Sequence, residues 1–451
     1  MKRRDFLVTA AGLTALPYLV RAQAQPCPPP ELTVQGGGTA LTACAGSTPA
    51  PPGEAPEWFL ALPERTWSTI AGGSGQRIVD RLPSPVPHSE GFPDSPASIT
   101  TAWTGGSVDQ ARGEYLLVGN GGHADYPGNE GYALALRTAT PTWRRLSDPT
   151  PNSVIGTLTN EGNGSYSDGR PRAMHSTFQC YGDGRVWFAL QNSVSSGGGG
   201  TINRVVAYNR EGLGAGSSPL PYTSGMGPWE TYGQIPNVGD LSSMIFGVSA
   251  FDRVGHKVWG LGGNSANLTR YWSIDTTGTR GTIKFYQANQ SFGHWGGWVA
   301  VAHDLRILVA GDHLRNTITV LDLTKAGQAG DWTQVSNVTG SGYFAGGSGG
   351  AYVPASRSIA IGQPKSLGGS FYRLKIPTKV QNGTTVYDPA GQWQWALINP
   401  GGAQMTAPNG NSGTYSKWQV VEDMGNGQSA LVVVTDISGP TYVYRIPMTG
   451  L

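Results

Sequence analysis

Residues 258–274 read VWGLGGNSANLTRYWSI, and residues 119–136 read GNGGHADYPGNEGYALAL, followed by Pro141-Thr142-Trp143. Both stretches share one plan. A short apolar strand ends in a Gly-rich turn, a second strand follows with a Tyr near its head, and a large aromatic residue comes about ten positions later. Runs this short, bounded by Gly, Asn, Asp and Ser, read as β-strands. No segment sustains a helical period.

The plan recurs along the chain, and a recurring period of sheet units marks a propeller. The first unit carries TTAW at 100–103 as its first strand, then Tyr115–Val118, Tyr132–Leu136 and Trp143. MHSTFQC, RVWFAL, INRVVAY and Trp229 form the second unit. IFGVSAF, KVWGLGG, RYWSI and Phe285 form the third, and WVAVAH, RILVAGD, TITVLDL and Trp332 the fourth. GGAYVP, RSIAIG, SFYRLKI and Trp393 or Trp395 form the fifth. KWQVVED, ALVVVTD and TYVYRI form a sixth that lacks its aromatic strand. LPERTWSTI at 62–70 supplies that strand through Trp67, which removes the free edge where the two chain ends would meet. The expectation is an all-β fold: a six-bladed β-propeller of four-stranded blades over residues 56–451, the last blade closed by the N-terminal strand.

The repeat of apolar strand, Gly-Gly, Tyr and distant Trp resembles the kelch repeat. The double Gly gives way to Gly311-Asp312, Gly362-Gln363 and Thr435-Asp436 in the later units. Kelch propellers include enzymes and binding platforms, so function must come from the site.

Composition agrees with this reading. The 451 residues include 67 Gly and 32 Pro, with 14 Trp, 18 Tyr and 11 Phe for a core. Charged residues are only 13 %, which excludes coiled coils, charge-rich tails and a nucleic-acid binder working through a basic surface.

The chain opens with Lys2, Arg3 and Arg4, an apolar stretch from Phe6 to Val20, and Ala22-Gln23-Ala24. This order reads as an export signal, too short and Ala/Gly-rich for a good membrane span. Arg3-Arg4 before Asp5-Phe6-Leu7 resembles the bacterial twin-arginine signal. The resemblance implies export of a folded protein to the periplasm or beyond, with residues 1–24 removed. That removal takes Lys2, Arg3, Arg4, Arg21 and Asp5, leaving a near-neutral chain with no electrostatic case for nucleic acid or a membrane surface. Residues 25–55 read as a Pro/Gly-rich arm. Cys27 and Cys44 flank part of it and are candidates for a bridge. Cys180 lies in an apolar strand and reads as a small buried hydrophobe.

Labelling the strands of a blade a to d from the axis outward, the b–c loops and d–a connections share one face, here the near face. The a–b and c–d turns share the far face. His256 and His303 fall in a–b turns, and His88 precedes the first unit. His123 and His313 fall in b–c loops, while His175 and His294 stand just before an a strand. The near face also collects Asp125, Tyr126, Asn129 and Glu130 from the first b–c loop. Arg172, Asn192, Asn264, Trp295, Arg315, Asn316, Lys365, Tyr415 and Lys417 join them. Imidazoles, amides, aromatics and a few charges suit a polar ligand, and sugar rings above all.

β-Elimination at a uronic acid needs a base for the C5 proton, an acid for the leaving oxygen, and a cation for the enolate. His123, Tyr126, His175 and Arg172 are the catalytic candidates. Asn129, Glu130, Asn192, Asn264, His294, Trp295, His313, Arg315, Lys365, Tyr415 and Lys417 are the candidates for holding substrate. The loop GGHADYPGNE is similar in style to those of secreted propeller polysaccharide lyases such as ulvan lyases, which implies a polysaccharide substrate. A metal oxidase is the first alternative, with His123, His175, His294 and His313 as the ligands of a metal ion. Galactose-oxidase-type enzymes share kelch blades, and Cys180 is the candidate for their thioether Cys. A non-enzymatic propeller binding a glycan or protein is the second alternative.

Overall fold

The computed structural model describes residues 53–89, 95–101, 104–121, 126–156, 165–172, 179–188, 204–213, 218–234, 248–261, 268–277, 283–292, 297–312, 317–342, 347–363, 367–406 and 413–451. The chain divides into two units, Met1–Pro49 and Ala50–Leu451, and every described residue belongs to the second.

In chain order the strands are β1 (Thr66–Ile70), then β2 (Ser107–Asp109), β3 (Glu114–Val118), β4 (Gly131–Ala135) and β5 (Trp143–Arg145) of blade 1. Blade 2 holds β6 (Gln179–Gly182), β7 (Arg185–Phe188), β8 (Arg204–Asn209) and β9 (Trp229–Gln234). Blade 3 holds β10 (Val248–Asp252), β11 (Lys257–Leu261), β12 (Leu268–Asp275) and β13 (Ile283–Phe292). Blade 4 holds β14 (Trp298–Ala302), β15 (Ile307–Asp312), β16 (Thr317–Asp322) and β17 (Trp332–Gln334). Then come β18 (Val338–Thr339), β19 (Gly349–Val353), β20 (Ser358–Gly362), β21 (Phe371–Lys375), β22 (Thr378–Gln381), β23 (Thr384–Tyr387) and β24 (Trp393–Ile398). Last are β25 (Gly401–Gly402), β26 (Gln419–Gly425), β27 (Gln428–Val434) and β28 (Thr441–Ile446).

Blade 5 is built on β19-β20-β21-β24, with β18 added parallel to β24 at its outer edge. Blade 6 is built on β26-β27-β28-β1, with β25 outside β1. β1 runs antiparallel to β28, with Trp67 opposite Tyr444 and Ile70 opposite Thr441. The innermost strands pack in the order β2, β6, β10, β14, β19, β26 and back to β2. These are the six blades of a β-propeller, and nearly all the described structure is β. Among the described residues no helix is long and apolar enough to cross a membrane.

Burial explains the sequence pattern. The second strand of each blade is covered on both sides by its neighbours, so it reads as a continuous apolar run rather than an alternating one. EYLLV, ILVAGD, SIAIG and QSALVVV are buried at every position. Outer strands are instead buried at one aromatic position and half-buried or exposed elsewhere. The large side chains of the outer strands fill the seams: Trp67, Trp143, Trp229, Trp332 and Trp393 are each 1–2 % exposed.

Three local expectations change. TTAW is not the first strand: Ser98–Thr101 is a single helical turn, and the innermost strand is Ser107–Asp109, because the chain first has to cross the near face. Phe285 is exposed at 38 %, and its neighbour Tyr286 turns inward to stack on Tyr271 at 4.7 Å. Side chains alternate along a strand, so a shift of one residue exchanges the two faces. In blade 5 Trp393 takes the seam, and the hairpin β22–β23 is inserted before it.

The a–b hairpins share a device that the sequence conceals. The residue before strand b has positive φ in every blade: Gly113, Gly184, His256, Arg306, Arg357 and Gly427. Three of these six are not glycine, so the turn signal is absent there although the left-handed conformation persists.

Candidate functional site

The b–c loop of blade 1 leaves β3 through Gly121, whose φ of 117° admits no ordinary side chain. Tyr126 returns into the interior, its N–H donating to the Gly121 carbonyl at 3.2 Å. The Tyr126 hydroxyl donates to Glu130 Oε1 at 2.6 Å, and the Tyr132 hydroxyl donates to the same oxygen at 2.8 Å. Glu130 Oε2 is buried and has no partner among the described residues. Burial raises the Glu130 pKa, against the pull of the two tyrosine hydrogen bonds and Arg145. This carboxyl therefore holds a proton more readily than an exposed one.

Asn129 ties the loop to the next connection. Its Oδ1 accepts the Thr150 N–H at 2.9 Å, and its Nδ2 donates to Thr150 Oγ1 at 3.0 Å and to the Pro171 carbonyl at 2.8 Å. Arg172 follows directly. Its guanidinium lies 5.4 Å from the centre of the Tyr166 ring. Its Nε reaches the Ser165 carbonyl at only 3.4 Å, and its buried Nη1 has no partner among the described residues. A guanidinium nitrogen left unpaired at a half-buried site is a ready receptor for a carboxylate.

Residues 413–417 form the second near-face cluster. Lys417 is fully buried, and its Nζ donates to the Thr104 carbonyl at 2.8 Å, to Thr104 Oγ1 at 3.2 Å and to the Gly413 carbonyl at 3.1 Å. Burial lowers its pKa to about 7. Ser416 Oγ accepts the N–H of Gly106 at 3.0 Å and of Gln179 at 2.9 Å, so blade 6 is bonded to blades 1 and 2. Thr414 Oγ1 donates to the Gly347 and Gly362 carbonyls of blade 5. Tyr415 is buried beneath the Lys417 ammonium, 5.9 Å from ring centre to Nζ.

The expected near-face residues thus separate into groups. Tyr126, Asn129, Glu130 and Arg172 come together, linked through Asn129 and Pro171. Asn129 and Glu130 are interior rather than surface groups, and Asn129 spends its amide on protein partners. Tyr415 and Lys417 lie in the interior of the seams between blades 5, 6 and 1. His123, Asp125, His175, Asn192, Asn264, His294, Trp295, His313, Arg315, Asn316 and Lys365 lie outside the described residues. So do residues 1–24, Cys27 and Cys44. Cys180 is a buried free thiol whose pKa burial pushes up to about 12. Among the described residues no three His, Cys, Asp or Glu side chains are grouped to hold a metal ion.

On the far face, His256 Nδ1 lies 3.0 Å from Asp183 of blade 2. His303 sits at the end of the channel, and burial lowers its pKa to about 3. Beside it, Arg253 of blade 3 forms an ion pair with Glu422 of blade 6. Blades 3 and 6 are opposite each other in the ring, so this pair crosses the channel. No spacing in the sequence links Arg253 to Glu422; only the position of Arg253 in an a–b turn hints at the channel.

No family model matches the chain, and no curated protein matches it. Solved structures are similar to it. YjhT aligns at 12 % identity over 78 % of this chain and 95 % of that one, with a TM-score of 0.43. A calcium-binding protein, regucalcin, from Agrobacterium tumefaciens aligns at 10 % identity over 78 % and 94 %, with a TM-score of 0.38. A luciferin-regenerating enzyme aligns at 10 % identity over 77 % and 92 %, with a TM-score of 0.35. Likenesses this distant assign no activity, and the blade count above rests on strand pairing.

Proposed function

We propose that the protein is an exported enzyme acting on an acidic polysaccharide, a lyase cleaving a uronic-acid glycan by β-elimination on the near face. The observation that carries the reading is Arg172, whose buried Nη1 beside the Tyr166 ring has no partner among the described residues. Arg172 receives the uronate carboxylate and stabilises the enolate formed when C5 loses its proton. The electron pair then expels the C4 oxygen, which takes a proton as the bond breaks. His123 and His175, in segments flanked by β3 and β4 and by β6, are assigned the two proton transfers. Tyr126 is committed to Glu130 and acts as a positioning residue for the loop. The ion pair across the far end of the channel favours approach from the near face.

The test is incubation of the exported protein with acidic polysaccharides, read by the absorbance of the unsaturated uronate product. Arg172→Gln, His123→Ala and His175→Ala should each lower turnover at least 100-fold with little change in melting temperature. His256→Ala should leave turnover unchanged. A protein inert on every acidic glycan, yet retaining one of them, is a binding propeller. Three or more imidazole nitrogens about 2.0–2.2 Å from a bound ion would make it a metal oxidase instead. Export by the twin-arginine route belongs to the same reading, and replacing Arg3 and Arg4 by Lys should leave the chain unprocessed.

A further inference from the structure

The far-face mouth of the channel brings four blades together around His303. Its Nε2 is 3.7 Å from Glu422 Oε1, too far for a hydrogen bond, and its Nδ1 is buried with no partner among the described residues. A buried imidazole nitrogen left unpaired in this way is costly. Glu422 stands where the register of β26 against β27 shifts, between Val421 and Gly425. A bulge of this kind re-aims a side chain. Its carboxylate is held by Arg253, whose side chain is 46 % exposed.

The other charges around His303 are already matched. Asp252 is clamped by both terminal nitrogens of Arg306. Asp304 accepts the Tyr352 hydroxyl at 2.5 Å and Arg357 Nε at 3.2 Å. Among the described residues Arg253 has one partner, Glu422, and Glu422 has a second, unused neighbour in His303.

We propose that this mouth is an oxyanion site, separate from the near face, in which a carboxylate or phosphate group docks on Arg253 while Glu422 turns to His303. The movement needed is small, because Glu422 Oε1 and His303 Nε2 have less than an ångström to close before they bond. The exchange takes up one proton: His303 becomes an imidazolium paired with Glu422, and the charge of Arg253 is released for the ligand. The groups facing His303 are Arg253, Asp252, Arg306, Asp304, Tyr352 and Glu422. With Asp252 and Asp304 held by arginines, the added proton falls on His303 and Glu422. Binding therefore tightens as pH falls.

The experiment is a calorimetric titration of the full chain carrying Arg172→Gln, so that the near-face guanidinium contributes nothing. Sodium acetate and inorganic phosphate are the two probes, each against sodium chloride of equal ionic strength, at pH 5.5 and 7.5. The expected result is saturable binding of at least one oxyanion, several-fold tighter at the lower pH and with net proton uptake. Adding Arg253→Gln should weaken it at least tenfold, and adding His303→Gln should remove the pH dependence. Preference for acetate or phosphate identifies the source of the oxyanion. Equal binding with and without Arg253→Gln, no binding of either probe, or an equal response to chloride would overturn the proposal. Because the near-face group is already removed, failure here leaves the lyase reading standing.

Discussion

The indole N–H of Trp67 donates to the Gly369 carbonyl at 2.6 Å, so the first strand is bonded to blade 5 as well as to its own blade 6. The ring also meets Phe371, Trp418 and Tyr444 at centroid separations of 5.4–6.4 Å. Trp67→Ala should destabilise the whole propeller by about 3–5 kcal/mol, measured by urea unfolding. A loss under about 1 kcal/mol would mean that the strand is dispensable.

Gly260 faces Trp272 across β11 and β12, and a methyl group there would lie 2.0 Å from the indole ring. Both the backbone and the fully buried ring are fixed, so Gly260→Ala should cost at least the upper part of the usual overpacking range, about 3 kcal/mol. Gly401→Ala, with open space around its added carbon, is the control and should be nearly neutral in the same thermal melts.

His303 makes acid stability testable. Its folded pKa is lowered to about 3 from 6.5. Between those values the unfolded chain binds a proton that the folded chain refuses, so stability falls as pH drops through this window. The slope from this group is at most about 1.4 kcal/mol per pH unit. The raised pKa of Glu422 acts in the opposite sense, so the comparison of interest is the wild type against His303→Gln. The variant should lose less stability between pH 6.5 and 4, read from denaturation midpoints.

Lys417 gives the alkaline counterpart. Its folded pKa is about 7 against an ordinary 10.5. In that interval the unfolded chain carries the extra proton, so stability rises with pH, again by no more than about 1.4 kcal/mol per unit. Lys417→Met should abolish this rise. It should also loosen the bonds to Thr104 and Gly413, visible as faster amide exchange at those residues.

The sequence made the blade repeat legible because the seams demand one large residue per blade, and Trp67, Trp143, Trp229, Trp332 and Trp393 stand out against the turns. Trp67 could be placed in blade 6 because only that unit lacked such a residue. The same rule misread Phe285, since apolar character does not say which face of a strand a side chain takes. It also gave no sign of the hairpin β22–β23, of which Tyr387 alone packs against the core, on Trp393. In the site, the grouping of Arg172 with the Tyr126 loop followed from strand direction alone. The interior roles of Asn129, Glu130, Tyr415 and Lys417 did not, because polarity marks a residue for the surface until its hydrogen-bond partners are known. Arg253 and Glu422 meet across a ring, and nothing local records that.

The pairing of β1 with β28 also fixes an order of events during synthesis. Trp67 emerges among the first described residues and must wait for Tyr444, near the far end of the chain, before its strand has its antiparallel partner. Contacts so distant in sequence form slowly. Until then the outer side of β28 and one side of β1 are open edges able to recruit a strand from another molecule. A chaperone shielding residues 66–70, or quick release of the finished chain, would protect the nascent protein, and truncated chains ending before residue 441 should aggregate rather than accumulate as five-bladed intermediates.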